Sequence, residues 1–166
     1  LATRLTAQFY APARIIMIDL DDNRLAVARK FGATDTFNSG RDPVVSLVRE
    51  LTDGKGVDTA IEAVGIPATF ALCEELVAPG GVIANVGVHG AKVDLHLEEL
   101  WSRNITITTR LVDTVSTPML LKTVEAKRLR PEQLVTHRFA LSDMLEAYET
   151  FARAADTHAL KVVIDT

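Results

Sequence analysis

Arg14-Ile-Ile-Met-Ile-Asp19-Leu-Asp-Asp-Asn-Arg24-Leu25 is the stretch whose reading decides the fold. An apolar run of strand length, closed by an acid, passes straight into a helix start. Asp21 or Asp22 can cap that helix, and Leu25, Ala28 and Phe31 then fall on one side. Gly32 stands where a left-handed helix terminus is easiest. Thr34 to Asn38 reads as the next short strand. Upstream, Leu1, Ala2, Leu5 and Phe9 keep helical spacing until Pro12 ends it.

Downstream the strand–helix unit recurs. Asp42-Pro43 reads as a cap followed by proline at the first helical position, with Val44, Leu47, Val48 and Leu51 as the apolar stripe. Val57 to Ile61 is a strand. Pro67 opens a helix with Phe70, Cys73, Leu76 and Val77 facing inward, and Pro79-Gly-Gly81 turns the chain into strands Val82–Val86 and Ile105–Thr109. Short apolar strands alternating with helices predict an α/β fold, a doubly wound parallel sheet covered on both faces. From Arg110 the rhythm changes. A helix starts near Thr117-Pro118 with Leu120, Leu121 and Val124, followed by a strand Val135–Phe139. A helix capped by Ser142 with Leu145, Tyr148 and Phe151 comes next, then a strand Leu160–Ile164. This places a boundary near residue 109.

Composition excludes more than it selects. The 166 residues are 48% hydrophobic, and Lys+Arg 18 against Asp+Glu 22 leaves a net charge of −4, with no footprint for nucleic acid or an anionic membrane. No apolar run suggests a membrane span, and Leu1 to Tyr10 carries no signal-peptide pattern. The one cysteine, Cys73, can form neither an internal disulfide nor a structural zinc site. A reduced, cytoplasmic setting is the expectation.

Asp19 is the sharpest single residue. In doubly wound folds, an acid ending the second strand accepts hydrogen bonds from the adenosine ribose hydroxyls, and its charge repels a 2′-phosphate, favouring NAD over NADP. Asp21 and Asp22 fit helix caps better. His89 and His96, on different elements, offer no metal-ligand spacing and read as structural.

Several segments together resemble the zinc-dependent medium-chain alcohol dehydrogenases. They are Ile-Met-Ile-Asp-Leu-Asp-Asp-Asn-Arg-Leu (16–25), Lys-Phe-Gly-Ala-Thr (30–34), Asp-Gly-Lys-Gly-Val-Asp (53–58) and Glu-Ala-Val-Gly (62–65). Val-Ala-Pro-Gly-Gly (77–81), Asn-Val-Gly-Val-His-Gly (85–90), Ile-Thr-Ile-Thr-Thr (105–109) and Ala-Leu-Lys-Val-Val-Ile (159–164) complete the set. Their order and spacing cover essentially the whole chain. The resemblance implies a Rossmann-type dinucleotide-binding domain over 1–109 and a segment 110–166 that packs on a catalytic domain. It implies NAD as cofactor and hydride transfer between an alcohol carbon and the nicotinamide, with zinc as Lewis acid.

Residue by residue, Asp19 matches the family's ribose acid, and Arg24 a basic residue near the adenosine ribose and phosphate. Val64 and Gly65 match a strand-end turn beside the cofactor. Val86, Gly87 and Val88 match backbone facing the nicotinamide carboxamide, Thr108 a second contact to that group, and Lys161 a basic position reaching the phosphate region. Arg110 departs from the glycine expected after such a strand.

The family's first strand, its Gly-x-Gly-x-x-Gly turn and its zinc ligands have no counterpart here. The 166 residues alone are therefore expected to be inactive, with no catalytic or metal-binding residue of their own. The first strand's place is expected between Ile15–Asp19 and Val57–Ile61. An uncharged strand Ile105–Thr109 is expected to join two copies into a homodimer. Alternatives are a zinc-free quinone reductase relative, an S-adenosylmethionine-dependent methyltransferase, or a non-catalytic dimerising remnant.

Overall fold

Every strand pair is parallel in the computed structural model, which describes residues 1–111 and 114–166. In chain order the elements are α1 (Ala2–Ala7), β1 (Ile16–Asp19), α2 (Asp22–Lys30), β2 (Asp35–Asn38), α3 (Val44–Leu51) and β3 (Val57–Glu62). Then follow α4 (Pro67–Leu76), β4 (Val77–Asn85), α5 (Leu97–Leu100) and β5 (Thr106–Thr109). The chain finishes with α6 (Thr117–Glu125), β6 (Val135–Ala140), α7 (Met144–Ala152), α8 (Ala154–Thr157) and β7 (Lys161–Asp165). Strands joined through helices and paired in parallel make this the expected α/β, Rossmann-type fold with incomplete sheets. A methyltransferase-type antiparallel hairpin is absent among the described residues.

The chain forms two compact units. Leu1–Asp42 and Thr114–Thr166 make one, and Pro43–Asp113 the other. In the first, among the described residues, β1 pairs only with β2 and β6 only with β7. Leu5, Leu129 and Leu134 form a buried cluster there, with Leu1, Phe31, Leu120 and Val124 packed against it. In the second, the sheet order is β3-β4-β5. Its core is Ala60, Phe70, Cys73, Val77 and Ile83, flanked by Val57, Val93, Ile105 and Ile107. The inward set expected of α4 is thus buried, although Val77 already belongs to β4.

Of the two acids expected to cap α2, Asp21 does so, its carboxylate accepting from Asn23 and Arg24 N–H. Other local expectations are corrected. Asp42 does not cap α3, which starts after Pro43 with no side-chain cap. The Asp42 carboxylate turns back to the end of β2 and accepts from Asn38 N–H at 2.7 Å, which takes up the acceptor that a cap would need. Ser142 caps nothing either. It bonds Asp143 within a short 3₁₀ turn, and α7 exposes Leu145, Tyr148 and Phe151 while burying Ala147. The strand expected over Val82–Val86 runs instead over Val77–Asn85, with a register shift against β3 that absorbs the Pro79-Gly-Gly81 segment. Nor is β3 covered on both faces: Ala60 and Glu62 are buried, and Thr59 and Ile61 exposed.

Candidate functional site

In parallel α/β sheets, ligands lie at the carboxyl ends of the strands, where backbone groups and loop side chains converge. Asp19 and Arg24, two of the sequence-predicted residues of the first unit, sit at such an end. Asp19 is the last residue of β1. One carboxylate oxygen accepts from Asp21 N–H at 3.0 Å, while the other lies 4.0 Å from Arg24 Nη1. Arg24, on the first turn of α2, also approaches Asp21 at 3.9 Å. Asp19 is two-thirds buried, with a side-chain exposure of 34%, and keeps acceptor capacity for a pair of hydroxyls.

A small crevice beside α2 is lined by Asp21, Asn23, Arg24 and Val27 together with His158, Ala159 and Leu160. It brings the start of β7 next to Arg24. Lys161, first residue of β7, is exposed. A wider groove along α6, reaching Met119, Lys122 and Arg128, contains none of the predicted residues.

In the second unit the predicted residues gather at the ends of β3 and β4. Val64, Val86 and Val88 are exposed at 63%, 51% and 80%, so apolar side chains are offered to solvent at the sheet's carboxyl end. Gly65 has φ +91°, and a Cβ there would stand 2.3 Å from the Val88 carbonyl oxygen. Only glycine lets the turn after β3 lie directly on the turn after β4. Gly87 packs as tightly, its absent Cβ falling 2.4 Å from Gly65 N. Thr108 lies exposed on β5, paired with Ala84 of β4. The arrangement makes a backbone-lined surface able to take a flat, partly apolar ring with amide groups. Arg110 follows β5 and is exposed.

Glu62 is the residue that sequence reasoning missed. It ends β3 with its side chain fully buried. One oxygen accepts from Val64 N–H at 2.9 Å, Gly65 N–H at 2.8 Å and the Thr69 hydroxyl at 2.6 Å. Burial alone would raise its carboxyl pKa. The Thr69 hydroxyl, the Gly65 and Val64 N–H groups and the nearby His89 outweigh that and hold it below the usual value. Its signal was present in the alternation of β3, where Glu62 shares the inward face with Ala60.

No constellation for zinc is found among the described residues, where no three histidine, cysteine or acidic side chains cluster. The donor chemistry agrees. Burial, reinforced by Glu62 and Glu74, pushes the Cys73 thiol up to about 11, so it stays protonated. His89 and His96 are each engaged by a buried carboxylate. These residues do not fit a zinc centre.

The family model described as zinc-binding dehydrogenase matches residues 3–125. An alcohol dehydrogenase of Cupriavidus necator is 35% identical over 162 residues, covering 95% of this chain and 44% of that protein. The NADP-dependent isopropanol dehydrogenase of Thermoanaerobacter brockii is 36% identical over 146 residues, covering 84% and 42%. The solved structure of zinc dependent alcohol dehydrogenase 2 from Streptococcus pneumonia matches with a TM-score of 0.94 and 53% identity, over 99% of this chain and 48% of that one. The chain spans less than half the length of these relatives. With a family match over most of its length and the fold to go with it, the chain belongs to the zinc-binding dehydrogenase family.

Proposed function

We propose that this chain is the cofactor-binding part of an NAD-dependent alcohol dehydrogenase that moves hydride between an alcohol carbon and the nicotinamide. The observation that carries the reading is Asp19, an acid at the carboxyl end of a parallel strand with open acceptor capacity. Asp19 holds the ribose hydroxyls, and Arg24 and Lys161 balance the phosphates. Val64, Gly65, Val86, Gly87, Val88 and Thr108 bear the nicotinamide end. Bound NAD supplies the hydride acceptor, and the chain supplies binding and orientation. Zinc is assigned to residues outside this chain, and the 166 residues alone are inactive.

Residues 1–109 are read as the dinucleotide-binding part. Residues 110–166 are read as a segment packing on a catalytic domain, which the exposed Leu111, Leu141, Leu145 and Tyr148 support. A homodimer joined through β5 and a cytoplasmic setting belong to the same reading. Among the described residues no helix is long and apolar enough to cross a membrane.

The similar isopropanol dehydrogenase is NADP-dependent by name, so the NAD preference rests on Asp19 and is open to direct test. Titration of the whole protein with both cofactors should give tighter NAD binding. Asp19→Ala should weaken NAD about tenfold, as loss of a charge-assisted hydrogen bond does, and narrow the gap to NADP. A wild-type protein that binds NADP more tightly than NAD would overturn the preference.

A further inference from the structure

The proposed contacts leave the buried carboxylate of Glu62 without a task. An amide or hydroxyl acceptor would organise the turn after β3 without the cost of burying a carboxylate. What Glu62 adds is a second oxygen. That Oε2 is buried, has no hydrogen bond, and lies 3.3 Å from Nε2 of His89 in the turn after β4. Asn85 donates from its amide nitrogen to the Gly87 carbonyl at 3.2 Å, which turns its oxygen toward His89 Nε2 at 2.7 Å. With an amide oxygen and a carboxylate oxygen both facing it, Nε2 carries the proton. The Phe70 ring meets the imidazole edge-on and fixes its plane.

The main chain of the same residue reaches the same turn. The Glu62 carbonyl accepts from Val86 N–H at 2.8 Å and Gly87 N–H at 3.1 Å. A Cβ on Gly87 would fall 2.1 Å from Glu62 Oε2, so the glycine is what allows the turn to rest on the carboxylate. Through its two oxygens and its carbonyl, Glu62 therefore touches both segments proposed to bear the nicotinamide.

We infer that Glu62 is a positioning residue, its carboxylate and the His89 N–H together fixing the spacing between the 64–65 and 86–88 turns, and with it the fit of the nicotinamide ring. The inference rests on the proposal that these turns face the nicotinamide. The test compares NADH with ADP-ribose, which keeps both riboses and the pyrophosphate and lacks only the nicotinamide. Calorimetric titrations use the whole protein as wild type, Glu62→Gln, His89→Leu and His89→Gln. Glu62→Gln keeps the oxygen that organises the first turn but presents an amide to the His89 N–H. His89→Leu takes away the polar N–H that faces Oε2 at 3.3 Å.

Both variants should raise the NADH dissociation constant about tenfold by loosening the spacing of the two turns, with ADP-ribose binding within about twofold of wild type. His89→Gln keeps a polar N–H able to face Oε2 and should stay close to wild type for both ligands. Parallel weakening of NADH and ADP-ribose overturns the inference, since that is what general damage to the fold produces. Unchanged NADH binding overturns it too, as does a His89→Gln protein as weak as His89→Leu. If Glu62→Gln does not fold, the two His89 variants decide alone. A wild-type protein that binds NADH no more tightly than ADP-ribose brings down the placement of the nicotinamide itself, and the inference with it. A wild-type difference that survives in all variants brings down the inference alone.

Discussion

His96 shows what a single side chain does to the pH response of this protein. Its backbone N–H and its ring Nδ1 reach the two oxygens of Glu74 at 3.1 and 2.7 Å, fastening the segment before α5 to a buried carboxylate on α4. The hydrogen bond to Glu74, with its charge and those of Glu98 and Glu99, raises the imidazole above its ordinary 6.5, against a smaller opposing effect of desolvation. A folded value above the unfolded one means that the folded state binds the proton more tightly. The stabilisation is therefore complete below 6.5 and fades as the pH climbs through the raised folded value. Urea midpoints measured across that window should fall for the wild type on the alkaline side, and His96→Gln should flatten that fall. A wild-type midpoint independent of pH there would contradict the assignment. The partner acid, Glu74, carries no sequence signal, because a charged residue on an amphipathic helix reads as a solvent-facing one until its partner is known.

At the scale of elements, α2 is the helix whose start was readable, and it has a measurable cap. Asp21 accepts from Asn23 N–H at 2.7 Å and Arg24 N–H at 3.4 Å. Asp21→Ala should cost about 1 kcal/mol in denaturant unfolding, the ordinary worth of such a cap, and Asp21→Asn much less. Equal losses for the two would mean that the charge, not the acceptor, matters. The strands and helices were legible where local chemistry settles the outcome: apolar runs ending in an acid, proline at the head of α4, the αL residue Gly32 after α2. They were misread where a partner outside the element competes. Asp42 prefers the Asn38 amide to the α3 terminus, and the start of β4 is held in line partly from outside the strand. Arg103 donates to the Glu74 carbonyl at 3.1 Å and to that of Val77, a contact between residues far apart in sequence. The candidate site divides the same way. Asp19 declares itself by ending a strand, whereas Glu62 and His89 gain their meaning only when β3 and β4 lie side by side.

At the scale of the molecule, β5 is one of the two edges of the sheet β3-β4-β5 among the described residues. The run from Asn104 to Thr109 carries no charge to blunt it. An uncharged edge strand with unpaired N–H and C=O groups invites another strand. A two-fold axis would set it against its own copy in antiparallel register, continuing one sheet across two subunits. The packing also dictates how this must be tested. Ile105 and Ile107 lie against the core of their own unit, so a charge at Ile107 would unfold the sheet and mimic dissociation. Thr106 is exposed on the strand. Thr106→Lys should leave the fold intact, place like charges across the axis, and shift sedimentation of the whole protein from dimer toward monomer. Circular dichroism of the same sample separates dissociation from unfolding. A wild-type monomer, or a dimer indifferent to Thr106→Lys with its melting curve unchanged, would place any interface elsewhere than β5.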